Sequence, residues 1–271
     1  MLFSCMVVIT LLTDYGIKDS YVAEVKGAIL RIAPSAVIVD ITHDVSNYEI
    51  EEGAFHLARA VPYFPEGTIH VGVVDPGVGG TRRSLIFCCS GAYLVGPDNG
   101  LLAPAAERLG IKSVYEITNR KMLPPRVSEV FDGRDVFGPV SAHLAMGLTP
   151  ETLGSKVEGY VRLEQYTLKV STGRVEARIV HIDGFGNLVT NVTSRTLSQI
   201  GVREGSILVA EIGGQRFLLP YVRSFSAVAK GELLALVAGG DFLELSVNMG
   251  NASERLGVKR GEVVTLSVER S

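Results

Sequence analysis

The sequence predicts an α/β protein of two domains, the first built on a mainly parallel β-sheet and the second all-β. In residues 1–74, apolar β-branched segments alternate with segments of helical periodicity. From about residue 157, short strand-like segments instead follow one another with glycine-rich turns between them. The chain of 271 residues is long enough for two domains.

The first elements follow in the order β-α-β-α-β, which predicts a parallel sheet with helices on its faces. The strand segments are nearly continuous apolar runs, as expected when both faces of a sheet are covered. The helical segments end close to prolines, which cannot continue the hydrogen bonds of a helix. The predicted elements are strand 7–12, helix 20–32, strand 37–41, helix 49–61 and strand 68–74.

The next elements break this alternation. Strand segments at 85–89 and 92–95 are close enough in sequence to predict an antiparallel hairpin. They are followed by a predicted helix at 101–109, a strand at 114–117 and a helix at 139–146, which carries Pro139 in its first turn.

The last part of the chain is typical of a small barrel or sandwich. Its predicted strands are 174–183, 206–212, 215–219, 233–237, 242–247 and 262–269. We therefore expect a first domain at 1–155, a linker at 156–172 and a second domain at 173–271.

The composition excludes several classes of protein. Lys and Arg number 26 against 29 Asp and Glu, whereas nucleic-acid binders carry a basic excess. The apolar segment 1–12 lacks a basic leader and is too short to span a bilayer, and Met6 is an alternative first residue. The three cysteines, Cys5, Cys88 and Cys89, form neither a disulfide framework nor a zinc motif. We expect a cytoplasmic protein with no nucleic-acid or membrane partner.

Carboxylates follow the predicted parallel strands, at the edge where ligands bind in open α/β sheets. They are Asp14, Asp40, Asp44 and Asp75. Asp residues at strand ends also form turns and cap helices, and this second reading stays open for each of them.

The glycine-rich segment 75–82 is not a phosphate loop, because it lacks the Lys-Ser/Thr pair and precedes a strand instead of a helix. Its turn could fold Asp75 and Arg82 toward each other as a charge-assisted pair. The alternative is a surface turn with an incidental ion pair. No two of the five histidines have metal-ligand spacing, so we expect no metal site.

Seven short motifs occur in an order that covers almost the whole chain. They are 13–16 (TDYG), 41–45 (ITHDV) leading to 51–53 (EEG), 74–79 (VDPGVG), 96–101 (GPDNGL), 133–137 (GRDVF), 182–187 (IDGFGN) and 247–250 (VNMG). Together they resemble the S-adenosylmethionine (SAM) hydroxide adenosyltransferase family, the hydrolase relatives of fluorinase and chlorinase.

The resemblance implies a Rossmann-like N-terminal domain with a mainly parallel sheet and an all-β, barrel-like C-terminal domain. It also implies a homotrimer whose active sites lie between one subunit's N-terminal domain and its neighbour's C-terminal domain. Water would attack C5′ of SAM and release adenosine and methionine. SAM is then a small-molecule substrate, and no cofactor is needed.

The resemblance also implies roles for individual residues. Asp75 and Arg82 would position the attacking water, with Asp132 as the third member of this group. The substrate-binding residues would be Asp14 and Tyr48 at the ribose, Asp19 and Asp183 at the methionine ammonium, and Phe185, Asn187, Asn248 and Met249 at the adenine.

Two departures from the family pattern affect these roles. The hydrolases carry a His where this chain has Asp132, so two carboxylates would share the guanidinium of Arg82 and raise the pKa of one acid. A serine usual in the methionine-binding loop corresponds to Gly239. A protein that binds SAM or adenosine with weak or lost catalysis is therefore an alternative. A SAM-dependent halogenase is a further one, disfavoured because Asp75 would repel a halide.

Overall fold

The computed structural model describes residues 6–126, 128–164 and 168–269. Contacts divide the chain into two compact units, Met1–Leu163 and Glu164–Ser271. The choice between Met1 and Met6 as first residue, and the part of the predicted linker at 165–167, lie outside the described residues.

The first unit contains a seven-stranded sheet with the strand order β2-β1-β3-β5-β4-β6-β7. The strands are β1 (Val8–Thr13), β2 (Val37–Thr42), β3 (Thr68–Val73), β4 (Ser84–Cys89), β5 (Ala92–Pro97), β6 (Ile111–Ile117) and β7 (Gly154–Lys156). Strands β2, β1, β3 and β5 are parallel, whereas β4, β6 and β7 pair antiparallel. The mainly parallel sheet and the β4–β5 hairpin are therefore confirmed.

Helices cover both faces of this sheet. They are α1 (Tyr21–Ile32), α2 (Ile50–Ala60), α3 (Ala103–Leu109), α4 (Gly138–Ala145) and α5 (Pro150–Leu153). Helix α1 contacts α4 and helix α2 contacts α3, so the helices pack as two pairs. A π-helical turn, Gly133–Phe137, leads into α4.

The alternation of side chains along β1 explains the two layers. Ile9 and Leu11 are fully buried in one core cluster with Val25 and Ile29 of α1. Leu12 points to the other face, where a Cβ on Gly53 of α2 would lie 3.4 Å from the Leu12 side chain. Because both faces of β1 are covered, its sequence is almost entirely apolar.

The second unit is an antiparallel, nearly closed, barrel-like sheet with the order β12-β11-β15-β9-β10-β14-β13, and β8 pairs with β9. Its strands are β8 (Lys169–Ser171), β9 (Arg174–Ile182), β10 (Leu188–Thr193), β11 (Ile207–Ile212), β12 (Gln215–Pro220), β13 (Leu233–Val237), β14 (Phe242–Val247) and β15 (Val263–Val268). A bridge between Tyr221 and Ala235 joins the two edges of the path. The predicted fold class is confirmed in both units.

Several elements are present that the sequence patterns did not predict. Strand β10 lies between β9 and β14, and the range 156–172 holds the end of β7 and all of β8. Two short helices also occur, α6 (Ser194–Gln199) and α7 (Ala252–Leu256), and each begins at a side-chain cap, Thr193 or Asn251. Among the helices described, none combines the length and apolar character that a bilayer crossing requires.

Candidate active site

A cleft of about 680 Å³ opens in the first unit, and Asp14 and Asp75 both line it. Asp14 directly follows β1, and Asp75 follows β3 by two residues. The carboxyl ends of neighbouring parallel strands meet at one edge of a sheet, which brings these two residues together. The acidic side chains lining the cleft are Asp14, Asp19, Glu24, Asp75 and Asp132.

Asp75 and Arg82 form a buried ion pair. Arg82 Nε donates to both carboxylate oxygens of Asp75 at 3.1 and 3.0 Å, and Nη2 donates to Asp75 Oδ2 at 2.5 Å. The turn between them reverses the chain through hydrogen bonds from Val78 N to Asp75 O and from Gly80 N to Gly77 O. With side-chain exposures of 5% and 13%, this is not an incidental surface pair.

Asp132 joins this pair, because Arg82 Nη2 also donates to Asp132 Oδ2 at 2.5 Å. A second guanidinium, that of Arg126, pairs with the other oxygen, Asp132 Oδ1. The two carboxylates share the guanidinium of Arg82, as expected. The expected excess of one negative charge is not found, because Arg126 is a second arginine at this group and two acids face two arginines. Arg126 was not predicted from the sequence, because it lies in a proline-rich loop outside the seven motifs.

Burial is the main cause that raises the pKa of Asp75 above its ordinary value. The hydrogen bonds and positive charge of Arg82 act in the opposite direction, and the charge of Asp132 adds a smaller rise. One acid of the pair thus has a raised pKa, as predicted, but desolvation contributes more than like-charge repulsion. A carboxylate with a raised pKa is a better proton acceptor than an exposed one.

Asp14 and Tyr48, both predicted to contact ribose, lie side by side. The backbone N–H of Tyr48 donates to Asp14 Oδ2 at 3.0 Å. Tyr48 has a φ of 69°, a left-handed conformation that is uncommon for a bulky residue, and its side chain is exposed. The backbone of Tyr48 is thus held in a rare conformation at the point where its N–H binds Asp14.

Aromatic residues that the motifs did not single out also line the cleft. The rings of Tyr15, Tyr21 and Phe131 pack edge to face, with centroids 5.5 to 6.0 Å apart. Arg134 stacks on Phe131 at 4.6 Å and donates to Glu24 at 2.8 Å. Tyr15 lies within the TDYG motif, and its position directly after Asp14 was the available signal.

Asp40 and Asp44 are not among the residues that line the cleft. Asp40 lies within β2, where it pairs with Lys26 at 2.6 Å and with His43 at 3.1 Å. Asp44 is exposed and forms a turn, its N–H donating to Thr42 Oγ1 at 3.1 Å. The alternative reading, that strand-end acids serve local structure, applies to these two.

The predicted adenine and methionine residues of the second half lie on two adjoining loops of the second unit. Asp183 accepts hydrogen bonds from Phe185 N and from the backbone and side chain of Asn187, all at 2.9 Å. A Cβ at Gly186 would lie 2.1 Å from the Asn251 side chain, so the loop containing Asn248 and Met249 packs directly against it.

Two side chains on these loops project outward. Phe185 is 80% exposed and Met249 is 76% exposed, and Met249 has a left-handed φ of 53°. Asn248 is instead tied to its own unit, donating from Nδ2 to Val228 O at 2.8 Å. Gly239 lies in the turn between β13 and β14, next to Gly240 and Asp241, whose φ values are positive.

No cluster of three or more His, Cys, Asp or Glu side chains suited to a metal ion occurs in the part of the chain that is described. Three acids of the cleft, Asp75, Asp132 and Glu24, are paired with arginines.

Two family models match the chain in sequence order. The SAM hydroxide adenosyltransferase N-terminal domain matches residues 9–154, and the C-terminal domain of that family matches residues 177–265. The chain belongs to the SAM hydroxide adenosyltransferase family. All seven motifs of the chain lie within the two matched segments.

Individual relatives agree with this assignment. An (R)-S-adenosyl-L-methionine hydrolase of Salinispora tropica is 37% identical over 94% of this chain and 95% of its own. A fluorinase of Nocardia brasiliensis is 28% identical over 96% of this chain and 97% of its own. The crystal structure of an uncharacterized conserved protein from Thermotoga maritima has a TM-score of 0.88 and 36% identity, covering 96% of this chain and 99% of that chain.

Proposed function

We propose that this protein hydrolyses SAM, with water attacking C5′ and adenosine and L-methionine as products. The observation that carries the proposal is the buried Asp75–Arg82 pair at the edge of the cleft, in a chain of this family. Relatives named (R)-S-adenosyl-L-methionine hydrolase, similar over nearly their whole length, support the same reaction.

The charge of the cleft suits this substrate. SAM carries a sulfonium, an ammonium and a carboxylate, so its net charge is positive. Five acidic side chains line the cleft, and those of Asp14 and Asp19 are not engaged by an arginine in the described residues. An acidic cleft attracts a cationic ligand and repels an anionic one.

The chemistry needs an aligned nucleophile more than an acid, because a sulfonium is already a good leaving group. A bond forms between the water oxygen and C5′ while the C5′–S bond breaks, and its electron pair stays on the methionine sulfur. The water gives up one proton, which Asp75 accepts and passes to solvent. Arg82 fixes the carboxylate of Asp75 with hydrogen bonds to both oxygens, which holds the acceptor in place.

The remaining predicted residues bind the substrate in this proposal. Asp14 accepts hydrogen bonds from the ribose hydroxyls, and Tyr48 packs against the sugar. Asp19 and Asp183 contact the methionine ammonium, and Phe185, Asn187, Asn248 and Met249 surround the adenine. The reaction uses neither a metal nor a cofactor.

We further propose a homotrimer in which the cleft of one subunit is completed by the second unit of its neighbour. The proposal follows from the family resemblance, and it gives the exposed Phe185 and Met249 a partner surface. A cytoplasmic location stays a prediction from the cysteine usage.

Two alternatives have support in particular observations. The fluorinase relatives make halide attack at the same carbon conceivable, but Asp75 and Asp132 place two carboxylates where a halide would bind. The ion pair between Asp132 and Arg82 favours the second alternative, retention of intact SAM, if it prevents Asp75 from positioning water.

One experiment separates the three functions. The protein is incubated with SAM, with and without chloride or fluoride, and the products are resolved by chromatography. Adenosine and methionine in equal amounts support hydrolysis, a 5′-halogenated nucleoside supports halogenation, and intact SAM that stays bound supports binding alone. Asp75→Ala is the negative control, and Glu158→Ala, an exposed acid outside the cleft, is its matched control.

A further inference from the structure

The hydroxyl of Tyr15 has no hydrogen-bond partner among the described residues. Tyr15 lines the cleft, and its backbone N–H donates to Thr13 Oγ1 at 3.2 Å, but no protein group bonds the phenol oxygen. Polar groups in such partly buried places normally have a partner. The hydroxyl is therefore available to a ligand or a water in the cleft.

The position of this hydroxyl is fixed by packing. The ring of Tyr15 lies edge to face with Tyr21 and Phe131, at centroid distances of 6.0 and 5.7 Å. A Cβ at residue 133 would lie 2.4 Å from the phenol oxygen, so only glycine leaves room for it there. Gly133 directly follows Asp132, so the hydroxyl lies against the backbone next to one member of the Asp75–Arg82–Asp132 group, which is the proposed water site.

The phenol stays protonated at this position. Burial raises the pKa of Tyr15 well above its usual value, and the negative charges of Asp14, Asp75 and Asp132 raise it further. Tyr15 is therefore a hydrogen-bond donor at neutral pH.

The other groups of the water site leave a place for such a donor. Asp75 and Asp132 accept hydrogen bonds when ionised. Arg82 directs its hydrogen bonds to these two carboxylates and to Ser84 Oγ, the last at 2.9 Å. A water molecule that donates to a carboxylate and attacks carbon with one lone pair still has a second lone pair, which needs a donor.

We propose that Tyr15 is a catalytic residue whose hydroxyl donates a hydrogen bond to the attacking water and so directs the other lone pair toward C5′. This inference rests on the proposed hydrolysis of SAM. Tyr15 neither gains nor loses a proton in the step, because the proton of the water goes to Asp75. The residue acts by orienting the nucleophile.

The test is Tyr15→Phe, which keeps the ring and its packing and removes only the oxygen. We expect kcat for adenosine release to fall about 10-fold, as for the loss of one well-placed hydrogen bond. KM for SAM and the thermal midpoint should change little. Tyr63→Phe removes the hydroxyl of a 72% exposed tyrosine outside the cleft and should keep full turnover.

A second variant tests the position of the oxygen. Gly133→Ala brings a Cβ against the phenol oxygen, whereas the nearest ring carbon of Tyr15 is 3.4 Å away. We expect Gly133→Ala to reduce kcat more in the protein that retains Tyr15 than in the protein that carries Tyr15→Phe. Equal reductions in the two backgrounds would overturn the placement.

The outcomes distinguish this proposal from the function on which it rests. A wild-type protein that releases no adenosine overturns both. Adenosine release by the wild type with an unchanged kcat in Tyr15→Phe overturns the role of Tyr15 alone. A rise in KM with unchanged kcat also overturns it, because the hydroxyl would then contact SAM and not the water.

Discussion

The Nη2 atom of Arg82 lies 2.5 Å from Asp132 Oδ2 and, at the same distance, from Asp75 Oδ2. One guanidinium nitrogen thus connects the acid that follows β3 with an acid 57 residues later in the chain. Arg126 pairs with the second oxygen of Asp132, so Asp132 does not depend on Arg82 alone. Asp75 shares Nη2 with Asp132 but also binds Nε, and it retains hydrogen bonds to both of its oxygens.

Removing either member of the central pair should abolish most turnover. We expect Asp75→Ala and Arg82→Ala each to lower kcat for adenosine release by ~10²-fold or more, because these groups act on the attacking water in the transition state. SAM binding, measured by calorimetry, should fall less. Arg120→Ala, which removes an exposed arginine outside the cleft, is the matched control. Wild-type turnover in both variants would show that the water site is assigned to the wrong residues.

The identity of residue 132 should set the rate. We expect Asp132→His to increase adenosine release, because a neutral imidazole can accept a proton near neutral pH and leaves Arg82 to Asp75. The pH profile should gain an inflection near ~6.5, the ordinary pKa of histidine. Asp132→Asn is the control, since it removes the charge without supplying a base, and it should not produce that inflection. An Asp132→His protein with an unchanged rate and profile would mean that position 132 does not reach the water.

The fall of kcat/KM at low pH should follow the ionisation of Asp75. Burial raises the pKa of this carboxyl, so kcat/KM should fall with decreasing pH through a midpoint above ~3.9, the ordinary value for aspartate. Because the pKa of Asp75 is higher in the folded than in the unfolded protein, this residue stabilises the fold at low pH, and that stabilisation is lost as pH rises. The fall in kcat/KM at low pH is therefore a loss of activity and not unfolding caused by Asp75. The measurement is kcat/KM against pH, paired with thermal midpoints at each pH. A midpoint at or below the ordinary value would contradict the prediction.

The pH dependence of the free energy of unfolding should depend on His70. This residue is 1% exposed, its Nδ1 lies 2.8 Å from Thr10 Oγ1, and burial lowers its pKa to about 4. In the unfolded chain His70 has its ordinary pKa of ~6.5, so it binds a proton between pH ~6.5 and 4, whereas the folded protein does not. The free energy of unfolding should therefore fall as pH drops through this interval. The loss attributable to His70 is about 3 kcal/mol. Urea unfolding of wild type and His70→Gln at pH 7 and pH 4 checks this, because the variant should lose less stability than the wild type over that interval.

The proposed trimer can be tested by complementation. Asp75→Ala disables the first unit and Phe185→Ala the second, so each homotrimer should be weakly active. When the two variants are mixed in equal amounts and assemble at random, about a quarter of the sites combine a first unit that retains Asp75 with a neighbouring second unit that retains Phe185. Activity should therefore reappear. Light scattering on the wild type should show a trimer. An active wild-type monomer, or mixed oligomers that stay inactive, would rule out shared sites.

Much of the fold could be predicted from local patterns. The strands from β1 to β5 follow from apolar runs and turn residues, because a strand covered on both faces must be apolar along its length. Strand β10 was not predicted, although its sequence LVTNVT is rich in β-branched residues. It follows directly on a glycine-rich loop that carries a motif, and only its pairing with β9 and β14 distinguishes it from an extension of that loop.

The sequence by itself determined the fold class, the family and the acids at the ends of β1 and β3, because strand periodicity and motif order are properties of neighbouring residues. Tertiary structure decided which of these acids share a cleft: Asp14 and Asp75 line it, whereas Asp40 pairs with Lys26 and Asp44 forms a turn. It also supplied Arg126, which lies outside the motifs, and it placed the hydroxyl of Tyr15, a residue of the TDYG motif, in the cleft. Charge pairing and hydrogen bonding act over a few ångströms in space, and the folded chain alone sets which distant residues come that close.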